Sequence, residues 1–106
     1  GDINMKVEKG IGIAVTSNGQ GANTGNINAT KENSSGMSLI GDATNNSGVI
    51  RNTVLGTIKM EGTASFGMFA THGNVFNDGT INIGSLVTSN NNYGMYSEEA
   101  NMVNRG

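Results

Sequence analysis

Residues 65–84, SFGMFATHGNVFNDGTINIG, hold the pattern that decides the fold. Met68 and Ala70 alternate with Phe69, Val75 precedes Phe76, and Ile81 and Ile83 alternate with Asn82. This is the period of strands with one apolar face. Gly, Asn, Asp and Thr separate the runs, as turn residues do. Three short strands are expected, yet they carry too few apolar side chains to bury one another. Their partners must come from elsewhere in the chain, and the rest of the sequence supplies copies of the same stretch.

A Gly-x-Ile-x-apolar motif occurs as GDINM from Gly1, GNINA from Gly25, GTIKM from Gly56 and GTINI from Gly79. A second motif follows it as GIAV from Gly12, GMSL from Gly36, GMFA from Gly67 and GMYS from Gly94. A third element closes each unit: GQGANTG, GVIRNTVLG, GNVFNDG and ANMVNRG. The repeat divides the chain into four coils, approximately 1–24, 25–55, 56–78 and 79–106. The excess lengths fall between strand motifs, at 41–46, at Val54–Leu55 and around 84–92, where loops accept insertions. The reading is an all-β, right-handed parallel β-helix of about four coils, with three short strands per coil.

Stacking the coils lines up Ile3, Ile27, Ile58 and Ile81, and beside them Met5, Ala29, Met60 and Ile83. The second strand gives Ile13, Met37, Met68 and Met95, then Val15, Leu39, Ala70 and Ser97. The third gives Gly21, Ile50, Val75 and Met102. Outward positions on the first strand read Asn4, Asn28, Lys59 and Asn82, the polar alternation of a one-sided strand. An Asn recurs four residues after a small residue in every third element, as Asn23, Asn52, Asn77 and Asn104. Facing inward at a corner, these amides would form a ladder that satisfies buried polar groups. Coil ends expose unpaired strand edges, which favours self-association there.

Composition agrees. The 106 residues include 17 Gly and 17 Asn, no Pro and no Cys, and a formal net charge of −2. Weak hydrophobicity without high charge is not the balance of a disordered chain, and Gly and Asn suit many tight turns. The six basic residues, Lys6, Lys9, Lys31, Arg51, Lys59 and Arg105, are scattered and form no stripe for a nucleic-acid backbone. No apolar run reaches the length of a membrane span, so membrane insertion of this segment is not expected. The absence of Cys excludes disulfides and thiolate metal sites.

SFGMFATHGNVFNDGTINI (65–83) and NYGMYSEEANMVNRG (92–106) resemble the Ser-x-Gly-Met-Tyr-Ala … Asn-x-Gly-Thr-Ile-x-Ile repeats of fusobacterial-type autotransporter adhesin passenger domains, exported by type V secretion. The likeness runs through the whole chain and is closer in 56–106 than in 1–55. It implies a right-handed parallel β-helix, carried to the bacterial surface by a C-terminal β-barrel translocator and exposed for adhesion to a host or bacterial surface protein or glycan. On that basis the chain is expected to be an excerpt of a longer passenger, extracellular and non-enzymatic. A fibre of coils stacked head to tail is the alternative, and a polysaccharide-degrading β-helix or tailspike a third.

For catalysis, Asp78 and Glu99 are the acids that neighbouring coils could bring together, although most carboxylates fall in turns or at strand ends. The single histidine, His72, reads as a solvated turn residue without the His, Cys or acidic partners of a metal site. Neither a β-roll nor an EF-hand calcium pattern occurs, and GIGIAV lacks the third glycine of a dinucleotide fingerprint. No cofactor and no metal are expected. Phe69 and Tyr96 fall on one external column, with Phe76 and Tyr93 as expected neighbours. These four aromatics are the candidate binding residues, and the loops 41–46 and 84–92 are the other candidates.

Overall fold

The computed structural model describes residues 2–84 and 92–106. Among them there is no helix, and all strand pairings are parallel. The first coil holds β1 (Ile3–Met5), β2 (Ile11–Thr16) and β3 (Gln20–Asn23). The second holds β4 (Asn26–Ala29), β5 (Ser35–Ile40) and β6 (Val49–Asn52). The third is β7 (Thr57–Met60) with β8 (Phe66–Asn77), and the fourth β9 (Thr80–Ile83) with β10 (Tyr93–Asn104). One sheet runs β1-β4-β7-β9; the other joins β2-β5 and β3-β6 through β8, with β10 on the far side of β8. The molecule is a parallel β-helix of four coils.

The expected columns are the observed ones. Ile3 pairs with Ile27, Ile27 with Ile58 and Ile58 with Ile81. On the second strand Ile13, Met37, Met68 and Met95 lie in register, as do Val15, Leu39, Ala70 and Ser97. Gly21, Ile50, Val75 and Met102 follow on the third. Burial follows the stacking. Ile27, Met37, Leu39, Ile50, Ile58, Met60, Met68 and Val75 of the two middle coils are fully buried, whereas Ile3, Ile13, Ile81, Ile83, Met95 and Met102 of the outer coils are only partly so. An aliphatic side chain here reaches a dry interior when a coil lies on each side of it.

Three strands per coil holds for the first two coils only. In the third and fourth, the second and third strands merge into the twelve-residue strands β8 and β10. The cause is length. Ala70 to Val75 and Ser97 to Met102 are the same short step, so the intervening residues pair one to one: Glu99 with His72, Ala100 with Gly73, Asn101 with Asn74. Residues 41–48 of the second coil have no such counterpart and loop out between β5 and β6. The expected loop 84–92 lies, but for its two ends, outside the described residues.

The inner Asn column is a hydrogen-bonded ladder with a direction. Asn23 Nδ2 donates to Asn52 Oδ1 at 2.9 Å, Asn52 Nδ2 to Asn77 Oδ1 at 2.8 Å, and Asn77 Nδ2 to Asn104 Oδ1 at 2.8 Å. The same amides donate to turn carbonyls of Gly25, Gly56 and Gly79. A second ladder, which the sequence did not announce, lines the opposite corner. Gly10 N–H donates to Ser34 Oγ, Ser34 N–H to Ser65 Oγ and Ser65 N–H to Asn92 Oδ1. Ser34 and Ser65 are fully buried. Their hydroxyls accept backbone donors that would otherwise be left unpaired inside. Beside them Lys9, Asn33 and Ala64 recur with φ of 59°, 58° and 55°, so this corner turns through a left-handed residue in three successive coils.

Candidate functional site: an aromatic patch on the last two coils

A local bend in the strand assembles the patch. Gly67 and Met68 are consecutive and both buried, which leaves Phe66 and Phe69 facing outward together. Gly67 permits this because a Cβ there would stand 2.7 Å from Ile81 Cγ2 in the core. One coil later Gly94 and Met95 repeat the arrangement and present Tyr93 and Tyr96. Register then places like on like. Phe66 stacks on Tyr93 with ring centroids 5.4 Å apart and planes 12° from parallel; Phe69 stacks on Tyr96 at 5.6 Å and 2°. Tilted contacts join neighbours on one coil, Phe66 to Phe69 at 5.3 Å and Tyr93 to Tyr96 at 5.4 Å.

Such pairs contribute roughly 0.5–1.5 kcal/mol each beyond their buried area, so the four rings brace a glycine-rich face. They also remain available. Tyr93 is 48% and Tyr96 37% exposed, while Phe66 and Phe69 are half-buried beneath them. Below the rings the same columns carry Ser35 and Ser38, then Ile11 and Ala14. The patch is therefore a ledge of four rings above a shelf of smaller side chains.

Of the expected aromatics, Phe69, Tyr93 and Tyr96 come together and Phe76 does not. Phe76 lies on the outer face of the third strand, with the Arg51 guanidinium 4.3 Å over its ring. Its place is taken by Phe66, which the repeat contained as the counterpart of Tyr93 one residue before the glycine. Arg51 Nη1 donates to Asp78 Oδ2 and Arg105 Nε to Asp78 Oδ1, each at 2.7 Å. The Arg105 bond above all, with Arg51 assisting, holds the Asp78 carboxyl below the usual carboxylate range.

His72 is not a turn residue. It lies within β8, largely covered, with Nε2 2.8 Å from Glu99 Oε2. Its Nδ1 is buried and has no hydrogen-bond partner among the described residues. Asp78 and Glu99 are not brought together. Glu99 is level with His72 and bonded to it, whereas Asp78 lies past the strand's end and is bonded to Arg51 and Arg105. Each carboxylate thus faces a basic side chain rather than the other acid.

The loop 41–46 is tied down rather than open. Asp42 Oδ1 accepts from the backbone N–H groups of Thr44 and Asn45, which lowers its pKa, the Asn45 bond most. Asn18 donates to Asn45 Oδ1 and accepts from Ser47. Outside the patch, the most exposed large apolar side chains are Val54 and Leu55, at 77% and 75%, on the turn before Gly56. Compared with family models, with curated proteins and with solved structures, the chain matches none.

Proposed function

We propose that this chain is a non-enzymatic segment of a bacterial surface rod, of the autotransporter passenger kind that its repeats resemble. Each coil extends the rod by about 4.8 Å, the spacing of neighbouring strands. Polar outward columns keep the rod soluble, and a local aromatic ledge offers a place for contact. The observation that carries this reading is the pairing of an in-register scaffold with exposed rings in one place. Tyr93 and Tyr96 are exposed, and a tyrosine joins an apolar ring to a hydroxyl, the combination that suits a glycan or a partner surface.

The test is retention of the purified chain on bacterial and host cell surfaces and on immobilised surface glycans. Replacing Tyr93 and Tyr96 together by serine should reduce retention at least tenfold while leaving the circular dichroism spectrum unchanged. Retention unaffected by that double replacement would remove the patch from the reading. Turnover of any glycan in the panel would replace the rod by an enzyme.

A further inference from the structure

We propose that the outer face of β6 binds an acidic sugar, its carboxylate on Arg51, its hydroxyls on Gln20 and its ring against Ala22 and Val49. The site is separate from the aromatic ledge, and the inference does not depend on the surface-rod reading. It starts from where the repeat is interrupted. Residues 53–56 join β6 to β7, four where residues 24–25 and 78–79 make the same turn in the coils on either side. Residues 41–48 join β5 to β6, eight where residues 17–19 suffice below and β8 runs straight through above. Both insertions belong to the second coil, and they flank one strand. Each is tied down: Asn18 holds Asn45 and Ser47, and Thr53 bonds the Asn23 carbonyl through its N–H and its hydroxyl. A rigid strand face between two fixed loops is a preformed place for recognition.

A hollow of about 270 Å³ opens on this face, lined by Gln20, Gly21, Ala22, Val49 and Arg51. It is lateral. Its side chains are outward members of β3 and β6, and the inward Ile13, Val15 and Asn23 take no part. Its cause is one small residue in a column of larger ones. Ala22 underlies Arg51, Phe76 and Val103, and Arg51 leans away from it, onto the Phe76 ring and the Asp78 carboxylate of the coil above. The space left beside Ala22 is smaller than the ~300–1,000 Å³ of drug-sized ligands, which suits a single sugar ring. Charge selects an acid. Arg51 gives one N–H to Asp78, and a guanidinium carries five. Asp78 also serves Arg105, so the three groups keep one positive charge in excess, and among the described residues no acid lines the hollow. Gln20 is exposed, and among the described residues its side-chain amide makes no hydrogen bond. Ala22 and Val49 offer an apolar floor for the C–H face of the ring. A peptide is disfavoured because β6 pairs on both sides, which leaves no strand edge for a main chain to join.

The test is a titration of the isotope-labelled chain with sodium glucuronate, glucose and sodium acetate at matched ionic strength, read by the chemical shifts of backbone amides and of Arg51 Nε–H. Glucuronate should move the amides of Gln20–Ala22 and Val49–Arg51 with a millimolar dissociation constant, the strength a single ring reaches. Glucose and acetate, each carrying half of the recognised chemistry, should bind roughly tenfold more weakly. Ala22→Trp, at an exposed position, fills the hollow and should abolish these shifts while keeping the melting temperature. Arg51→Gln should bring glucuronate down to the level of glucose, whereas Lys59→Gln, a charge removed on another face, should change nothing. Acetate binding as tightly as glucuronate would show a carboxylate contact without a sugar site and overturn the proposal. So would shifts confined to the aromatic ledge, equal binding by the Ala22→Trp chain, or no shift in β3 and β6 at about 50 mM glucuronate. The shift map on the unmodified chain decides the location by itself, whatever the variants do to folding.

Discussion

Replacing Asn52 by leucine removes the centre of the inner ladder while keeping the branching of the side chain. Asn52 is fully buried; it accepts from Asn23 and donates to Asn77, with longer bonds to the carbonyls of Gly56 and Thr80. After the change Asn23 Nδ2 still reaches the Gly25 carbonyl, but Asn77 Oδ1 loses its donor. One orphaned buried acceptor costs about 1–3 kcal/mol, and each satisfied bond that is lost adds about 0.5–1.5 kcal/mol. The expected loss is about 3 kcal/mol, which for a domain of this size lowers the melting temperature by roughly 10–20 °C. Asn104→Leu, at an exposed position of the last coil, leaves Asn77 Nδ2 bonded to the Gly79 carbonyl and should cost less than about 1 kcal/mol. Urea and thermal unfolding of the two variants, with an Asn52/Asn77 double-mutant cycle, measure the contrast. Equal small losses at both positions, or no coupling in the cycle, would refute the ladder as a stabilising device and reduce these residues to turn markers.

Three further outcomes follow from the same geometry. Gly36→Ala puts a methyl group 2.6 Å from both the Gly67 carbonyl oxygen and Ile58 Cγ2 and should destabilise by about 1–3 kcal/mol in urea titration, whereas Gly94→Ala should be neutral. Ala64→Gly relieves a side chain held at φ 55°; a left-handed penalty of about 1–2 kcal/mol less a glycine entropy cost of about 0.5–1 kcal/mol leaves a net gain, seen as a higher melting temperature. Acid titration should expose Asp78. Its pKa is depressed in the folded chain, so its contribution is complete above about pH 4 and drains as the pH falls further, because the unfolded chain takes up the proton first. Asp78→Asn should flatten that part of the acid unfolding curve without touching the rest.

The coil repeat was legible because it is written in side chains that must alternate. Each of Ile27, Ile58 and Ile81 stands two residues after its Gly, and each occupies the predicted column. The Asn ladder was legible for the same reason, a fixed offset repeated four times. The Ser34–Ser65 ladder was not. Serine is common in turns, and these side chains work by accepting a backbone N–H from a coil more than twenty residues away, which leaves no local pattern. The merging of strands into β8 and β10 depends on two corners having equal length, a relation between coils rather than a property of either. The patch was half visible. Phe69 and Tyr96 follow from register, but Phe66 joins them only because Gly67 bends the strand, and the expected Phe76 belongs to Arg51 on another face.

The central claim is that scattered aliphatic residues are buried by in-register parallel stacking. Nuclear Overhauser contacts between isoleucine methyl groups in a methyl-labelled sample test it most directly. The stacking requires contacts from Ile3 to Ile27, Ile27 to Ile58 and Ile58 to Ile81, and none from Ile3 to Ile58. Antiparallel contacts within residues 65–84, with those isoleucine contacts missing, would contradict it.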